Sequence, residues 1–229
     1  MAEDGDQVAD DVLRFLTYNI RHAQGVGGVV SIARVARAIA SVSPDVVGIK
    51  EAYRWPGVFD QSARLGELLA MRPAFQANVV RGRTEYGNAL LCRGASRVLA
   101  DVRLSKRLEP RGCLVTEVET PHALFRVAVT HLSLHRRTRA VQLQELACAL
   151  PADLPLVLMG DFNCGGQDLA PVLGILSAPD ETPPTFPSVH PARRVDHILF
   201  SRHWRLRDIA IVRTLASDHV PLYADLELR

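Results

Sequence analysis

The sequence predicts an α/β protein in which two β-sheets pack face to face and are flanked by helices. Short apolar strands recur between helical patterns near both ends of the chain, while residues 74–130 read as a succession of strands joined by turns. The 229 residues are 48% hydrophobic and 23% charged, enough to bury a substantial core. No repeat period and no linker divide them. A single catalytic domain is expected over residues 12–229, preceded by a flexible N-terminal tail, residues 1–11.

The alternating segment Val12 to Ile20 reads as the first strand, and Ser31 can cap a helix that sets Ile32, Val35, Ala36, Ile39 and Ala40 on one face. Pro44 closes that helix. Asp45 to Glu51 is a nearly continuous apolar run ending in charge, as an interior strand does where it leaves the core. A second helix is expected from Phe59 to Met71, stopped by Pro73. Strands then follow at Phe75 to Val80, Ala89 to Cys92, Val98 to Leu104, Cys113 to Thr120 and Ala123 to His131, the last two joined by the hairpin turn TPHA. A basic amphipathic helix is expected from Arg136 to Leu150, with Ala140, Leu143, Ala147 and Leu150 on its apolar face and Pro151 and Pro155 behind it. Leu156 to Asp161 is a further apolar strand. Asp180 to Pro191, rich in Pro, Thr and Ser, is a long loop, and the final strands run through Arg194 to Phe200, Ile209 to Arg213 and Val220 to Leu228.

The 27 basic and 25 acidic residues leave a net charge of +2, which argues against a protein that coats nucleic acid or membrane without selectivity. A phosphate ligand held by a few local arginines remains compatible. No apolar run approaches the roughly 20 residues of a membrane span, and MAEDGDQVADD is acidic where a signal peptide is basic and then apolar, so a cytoplasmic location is expected. Cys92, Cys113, Cys148 and Cys164 show no paired spacing of a zinc or redox site and are expected as buried free thiols.

Strands that otherwise read as core finish in residues able to hold a metal or move a proton: TYNI with Asn19, GIKE with Glu51, VTHL with His131, and LMGDFN with Asp161 and Asn163. RVDHILF adds Asp196, and SDHVPL adds Asp218 and His219. Alone, an Asp after a strand is ordinarily a turn or helix cap, and a lone His a hydrogen-bonded structural residue. Several strand ends carrying acids, amides and imidazoles converge only at one edge of a sandwich. Carboxylates with amide oxygens suit a hard cation such as Mg²⁺, with Mn²⁺ or Ca²⁺ as substitutes, and the absence of thiolates excludes a zinc–thiolate centre.

The ordered set TYNI, GIKE, YGNALL, THL, GDFN, VDHILF and SDHVPL, over residues 12–228, resembles the endonuclease/exonuclease/phosphatase (DNase I-like) superfamily. The resemblance implies a four-layer α/β sandwich and metal-dependent hydrolysis of phosphate esters. It implies Glu51 as the main metal carboxylate with Asn19 hydrogen-bonding or ligating beside it, and Asp218 as a second metal-side acid. Asp161 would orient or deprotonate the attacking water, near enough to join the metal set, and Asn163 would donate to the phosphate. His219 would contact the scissile phosphate with Asp196 orienting it. His131 matches the DNase and sphingomyelinase branches, where abasic-site endonucleases carry a tyrosine.

Two positions depart from the pattern: Lys50 stands where Gln is common, and Arg21 where abasic-site endonucleases place an acid. Lys50 could reach a substrate phosphate or point into solvent. Substrate contacts are expected from Asn88, Arg111 and Arg139, with Tyr86 either in the same segment's contact or in the core. The run His135, Arg136, Arg137 and Arg139 is either a solvated helix face or a means of steering an anionic substrate, and Arg193 and Arg194 could join it.

The leading expectation is a phosphodiesterase acting on nucleic acid or on a phospholipid-type diester, as a monomer. A phosphomonoesterase on inositol- or nucleotide-like phosphates uses the same constellation, and a non-catalytic scaffold is the alternative from another class. The intact set of acids and histidines argues against the scaffold.

Overall fold

The computed structural model describes residues 12–121, 123–151 and 153–229; the expected tail, residues 1–11, lies outside them. In chain order the elements are β1 (Val12–Asn19), α1 (Ile32–Ala40), β2 (Val46–Trp55), β3 (Phe59–Asp60), α2 (Gln61–Leu69), β4 (Arg72–Arg81), β5 (Thr84–Cys92), β6 (Ala95–Leu104), β7 (Arg111–Glu119), β8 (Leu124–His131), α3 (Arg136–Ala149), β9 (Leu156–Asp161), α4 (Ala170–Leu173), β10 (Asp196–Phe200), β11 (Trp204–Ile211) and β12 (Leu222–Leu228). One mixed sheet has the order β11-β12-β1-β2-β5-β4, with β3 beside β2, and the other the order β10-β9-β8-β7-β6.

Alternation along the strands assigns each side chain a layer. Phe15, Val46, Val127, Val129, Val157, Met159 and Ile198 meet between the sheets. Leu16, Tyr18, Val47 and Ile49 face the other way, onto Val35 and Ile39 of α1 and Leu65 of α2. Leu156 and Leu158 face Leu143 and Leu146 of α3 and Val172 of α4. The result is the expected four layers, helix on sheet on sheet on helix. Phe15, Phe125 and Trp204 pack edge to face at the centre of the inter-sheet core, with centroids 5.4–5.7 Å apart.

Local chemistry sets the helix ends. Ser31 caps α1 by accepting from the Arg34 amide. The second helix begins later than periodicity predicts, at Gln61, because Asp60 caps it through the Ala63 amide while Phe59 pairs with β2. It ends at Leu69, with Ala70 in the left-handed region at φ +53°. Pro73, expected to stop the helix, lies inside β4, tolerated because β4 is a sheet edge. Residues 180–191 form the expected irregular segment, and Thr120 and Ala123 close the expected hairpin between β7 and β8.

The buried face of α3 keeps the expected Leu143 and Leu150, with Ala147 half-buried, but is turned so that Arg139, Gln142 and Leu146 also point inward while Ala140 is exposed. The two polar members are accepted because loop backbone groups await them there, as described below. The same rotation puts Cys148 on the solvent side, correcting the expectation of four buried thiols; Cys92, Cys113 and Cys164 are buried.

The parallel pair β8 and β9 sets Thr130 opposite Gly160 and His131 opposite Asp161. A Cβ at Gly160 would sit 2.0 Å from the Thr130 carbonyl oxygen, a backbone atom with no rotamer to yield. Gly160→Ala should therefore part these strands beside Asp161 and lower stability by about 3 kcal/mol, the upper end for overpacking. Urea denaturation measures this, and a midpoint equal to that of the unmutated chain would contradict it.

Candidate active site

The polar cluster is the open end of the inter-sheet core. Phe15, Thr17 and Asn19 share one face of β1; Val46, Gly48 and Lys50 share that face of β2; Val129 with His131, Met159 with Asp161 and Ile198 with Asp196 do the same on β8, β9 and β10. The residues that follow the apolar stripe at its edge are thus the candidate functional ones. Register aligns them: Asn19 lies opposite Lys50, His131 opposite Asp161, and Asp161 opposite Asp196.

Asp161 is the hub. Its Oδ2 accepts from Asn19 Nδ2 at 3.0 Å and lies 3.5 Å from His131 Nε2 and 3.6 Å from His219 Nε2, while Oδ1 accepts from the Asn163 amide at 3.0 Å. Burial, helped by the nearby Asp196 charge, pushes the Asp161 carboxyl up to about 6, against the pull of His219, Asn19 and Lys50.

Asp196 and His219 form a dyad, with His219 Nδ1 donating to Asp196 Oδ2 at 2.8 Å. Burial alone would lower His219, but the charge and hydrogen bond of Asp196, with Asp161 and Asp218 behind it, raise it to about 9. Burial would likewise raise Asp196, yet the His219 cation and its hydrogen bond, with Lys50 and Thr185, hold it below the ordinary range. Thr185, fully buried in the long loop, donates to Asp196 Oδ2 at 2.6 Å, and the Phe186 ring lies 4.8 Å from that of His219.

His131 is the neutral counterpart. An Arg111 N–H meets its Nδ1 at 2.9 Å, which leaves the ring proton on Nε2, the nitrogen nearer Asp161. Burial first, then the Arg111, His219 and Lys50 charges, hold the ring well below its usual value. Arg111 is shared with Glu109 Oε1 at 3.1 Å.

Glu51 sits in β2 where the pairing with β5 slips between Ile49 and Ala52, and it adopts φ +60°. A bulge with a left-handed residue re-aims a side chain that alternation would send to the helix side; such conformations cost about 1–3 kcal/mol and gather at functional sites. Asn163 (φ +54°) and the turn Arg21, His22, Ala23 (φ +46° to +61°) show the same departure. Glu51 Oε1 accepts from Asn19 Nδ2 at 3.0 Å, so one amide bridges Glu51 and Asp161. The Asn19 side-chain oxygen accepts from the Arg21 amide at 3.1 Å.

A cleft of about 250 Å³ is lined by Asn19, Glu51, Arg111, His131, Asp161, Asn163 and His219, together with Tyr86, Glu109, Leu134, Phe186, Arg193 and Val195. Three expectations need correction, at Asn88, Arg139 and Lys50. Asn88 is buried between the sheets, donating to Gln76 Oε1 and the Gly112 carbonyl, because it shares the inward face of β5 with Leu90 and Cys92. Arg139 is a brace, donating to the Ser133 and Leu134 carbonyls with Asp168 at 3.5 Å. The Asp218 carboxylate lies 3.6 Å from Arg21 Nε and accepts from the Ser217 hydroxyl at 3.2 Å. Lys50 reaches neither phosphate nor solvent: it is fully buried, donates to Thr17 Oγ1 and lies 3.7 Å from Asp196 Oδ1. Burial lowers its ammonium to about 8 against the raising effect of Asp196.

Thr185 and Ser217 escaped sequence reasoning. The Ser217 hydroxyl donates to the Asn19 carbonyl at 2.7 Å, tying the SDH segment to β1. The SDH motif itself was the available signal for Ser217; a threonine in a Pro-rich loop offers none.

The donor set suits a hard cation. One atom each of Asp161, Asp196 and His219 lie within 4.8 Å of one another. However, Asp196 and His219 are bonded together, and a protonated His219 repels a cation. Glu51 has no such pairing: among the described residues the only basic side chain within 4.0 Å of its carboxylate is the His131 ring.

A family model described as the Endonuclease/Exonuclease/phosphatase family matches residues 16–219. The uncharacterized protein YbhP of Escherichia coli (strain K12) is 27% identical over 219 residues, covering 83% of this chain and 86% of that protein. The crystal structure of an endonuclease/exonuclease/phosphatase from Beutenbergia cavernae superposes with a TM-score of 0.81 at 24% identity, over 95% of this chain and 72% of that one. The human Nocturnin catalytic domain with bound sulfate gives 0.72 at 20% identity, over 96% and 94%. At these identities the likeness to the solved structures shows the fold.

Proposed function

The chain belongs to the endonuclease/exonuclease/phosphatase family, whose members are phosphoester hydrolases, and from that premise we propose that it is a divalent-metal-dependent phosphodiesterase. The observation that carries the proposal is the surrounding of Asp161 Oδ2 by Asn19, His131 and His219 at 3.0–3.6 Å on the floor of one cleft.

A phosphodiester resists hydrolysis because its charge repels the nucleophile and its leaving alkoxide is basic. Glu51, with Asp161 at hand, would hold Mg²⁺ or Mn²⁺; when bound, such a cation supplies a Lewis acid that offsets charge on the phosphate oxygens and the leaving group. Asp161, raised to about 6 by burial, accepts a proton from water near neutral pH. Protonated His219 directs Nε2–H at a phosphate oxygen while Asp196 holds its other nitrogen. His131 Nε2–H is a second donor, and Asn163, one of whose amide hydrogens is spent on the Leu132 carbonyl, has another to offer. Diester rather than monoester hydrolysis is favoured because Arg111, the guanidinium bonded to His131, is already shared with Glu109 and so is not wholly available to a dianion.

Bis-p-nitrophenyl phosphate, p-nitrophenyl phosphate, plasmid DNA and a choline or inositol phospholipid, each with Mg²⁺, Mn²⁺ or EDTA, form the test panel. Diester turnover lost in EDTA is the expected result. Turnover of the monoester alone, or of nothing, would overturn the proposal. Glu51→Gln should raise the Mg²⁺ concentration for half-activity by about 10-fold or more, by analogy with the loss of a metal-supporting carboxylate; an unshifted metal titration would remove Glu51 from the metal site.

A further inference from the structure

Resting on that phosphodiesterase reading, we propose that the rim of the cleft is a docking surface for an anionic phospholipid bilayer, which would present the ester to be cut. Among the described residues, the large apolar side chains most open to water are Leu108, 89% exposed, and Leu134, 74% exposed. Leu134 lines the cleft, and Leu108 is the chain neighbour of Glu109, which also lines it.

Each leucine has basic neighbours. Lys106 and Arg107 precede Leu108, and Arg136 and Arg137 follow Leu134; all four are exposed. Arg103, Arg111, Arg126 and Arg139 in the adjoining stretches are paired with carboxylates, whereas these four have no such partner among the described residues. Their charge is therefore available to a ligand.

The two loops are built as one surface. The buried Gln142 side chain joins them, its Oε1 accepting from the Ser133 amide at 2.8 Å and its Nε2 donating to the Ser105 carbonyl at 2.6 Å. Glu145 accepts from the Ser105 amide at 2.8 Å, and Arg139 holds the Ser133 and Leu134 carbonyls at 3.0 Å. This explains why α3 turns Gln142 and Arg139 inward. The polar side of the helix thus ties the loop that carries Leu134 to the loop that leads into Leu108.

Chemistry selects the occupant. A polynucleotide would use the four cations but return nothing for the exposed leucines. A bilayer uses both, with lipid phosphates meeting Lys and Arg while Leu enters the headgroup–acyl boundary. Because Leu134 lines the cleft, a lipid headgroup met there would stand beside the site.

Co-flotation of the full chain with phosphatidylcholine vesicles, with and without about one-third phosphatidylglycerol, tests the proposal. The chain should bind the anionic vesicles, release them in high salt, and ignore the neutral ones. The double change Lys106→Glu and Arg107→Glu should raise the lipid concentration for half-binding by at least about tenfold, from about fivefold per lost charge, and Leu108→Glu, which removes the inserted apolar side chain and adds a repelling charge, should do so by at least about tenfold as well. Thermal unfolding confirms that both variants fold. Absence of vesicle binding, equal binding to neutral vesicles, or undiminished binding by both variants would overturn the proposal. So would binding of a single-stranded oligonucleotide, in place of vesicles, that depends on the same residues. Turnover of soluble bis-p-nitrophenyl phosphate is read in parallel: vesicle binding without turnover upholds the surface and removes the activity, and turnover without vesicle binding does the reverse.

Discussion

Asp161→Asn should lower kcat on a phosphodiester by at least about 10²-fold, the lower bound for losing a positioned general base. The change is nearly isosteric. The introduced amide could keep the hydrogen bond from the Asn163 backbone N–H through its oxygen, but its nitrogen would replace Oδ2, the atom facing Asn19, His131 and His219. Folding should suffer little, since the buried carboxylate that is removed was itself costly to ionise. The pH profile separates a base from a merely structural residue. Asp161 must be ionised to accept a proton, so activity of the unmutated chain should rise as pH passes through about 6, and this acid limb should vanish from the residual activity of the variant. Near-normal kcat in Asp161→Asn would refute the assignment.

Loss of His219 should be as severe. His219→Ala removes the cationic donor beside Asp161 and leaves Asp196 without its main partner, and kcat should again fall at least about 10²-fold. A subtler variant examines the cause. In Asp196→Asn the opposing charge is gone, burial prevails, and the His219 imidazolium should lose its proton at lower pH, so the alkaline limb of activity moves down from about 9. The same linkage acts on stability. A histidine raised from 6.5 to about 9 in the folded state contributes stability that is fully present below about 6.5 and is lost as pH climbs through 9. Urea midpoints measured from pH 6 to 10 should therefore decline more steeply in the unmutated chain than in Asp196→Asn, and parallel curves would sink the dyad.

The helical layers and the inter-sheet core followed from periodicity because local spacing is what periodicity reports. The strand Leu156–Asp161 and the start of α3 at Arg136 coincide with the sequence-based boundaries. Two strands did not: β5 and β11 each begin five residues before the expected start, at Thr84 because pairing with β4 recruits residues of little apolar signal, and at Trp204 because a bulge between Leu206 and Asp208 breaks the parity of Trp204 and Leu206 with Ile209 and Ile211.

By itself the sequence determined that acids, amides and imidazoles end the core strands, and alternation along a strand sets which side chains share a face. What parity cannot say is which face lies under a second sheet, or what waits across it. Tertiary structure alone decided that Lys50 supports Asp196, that Asn88 and Arg139 are clamps, that Asp218 lies beside Arg21, and that Thr185 reaches the dyad from a Pro-rich loop. Each depends on a partner distant in the chain, and a buried polar group takes whichever partner satisfies it, wherever in the sequence that partner lies.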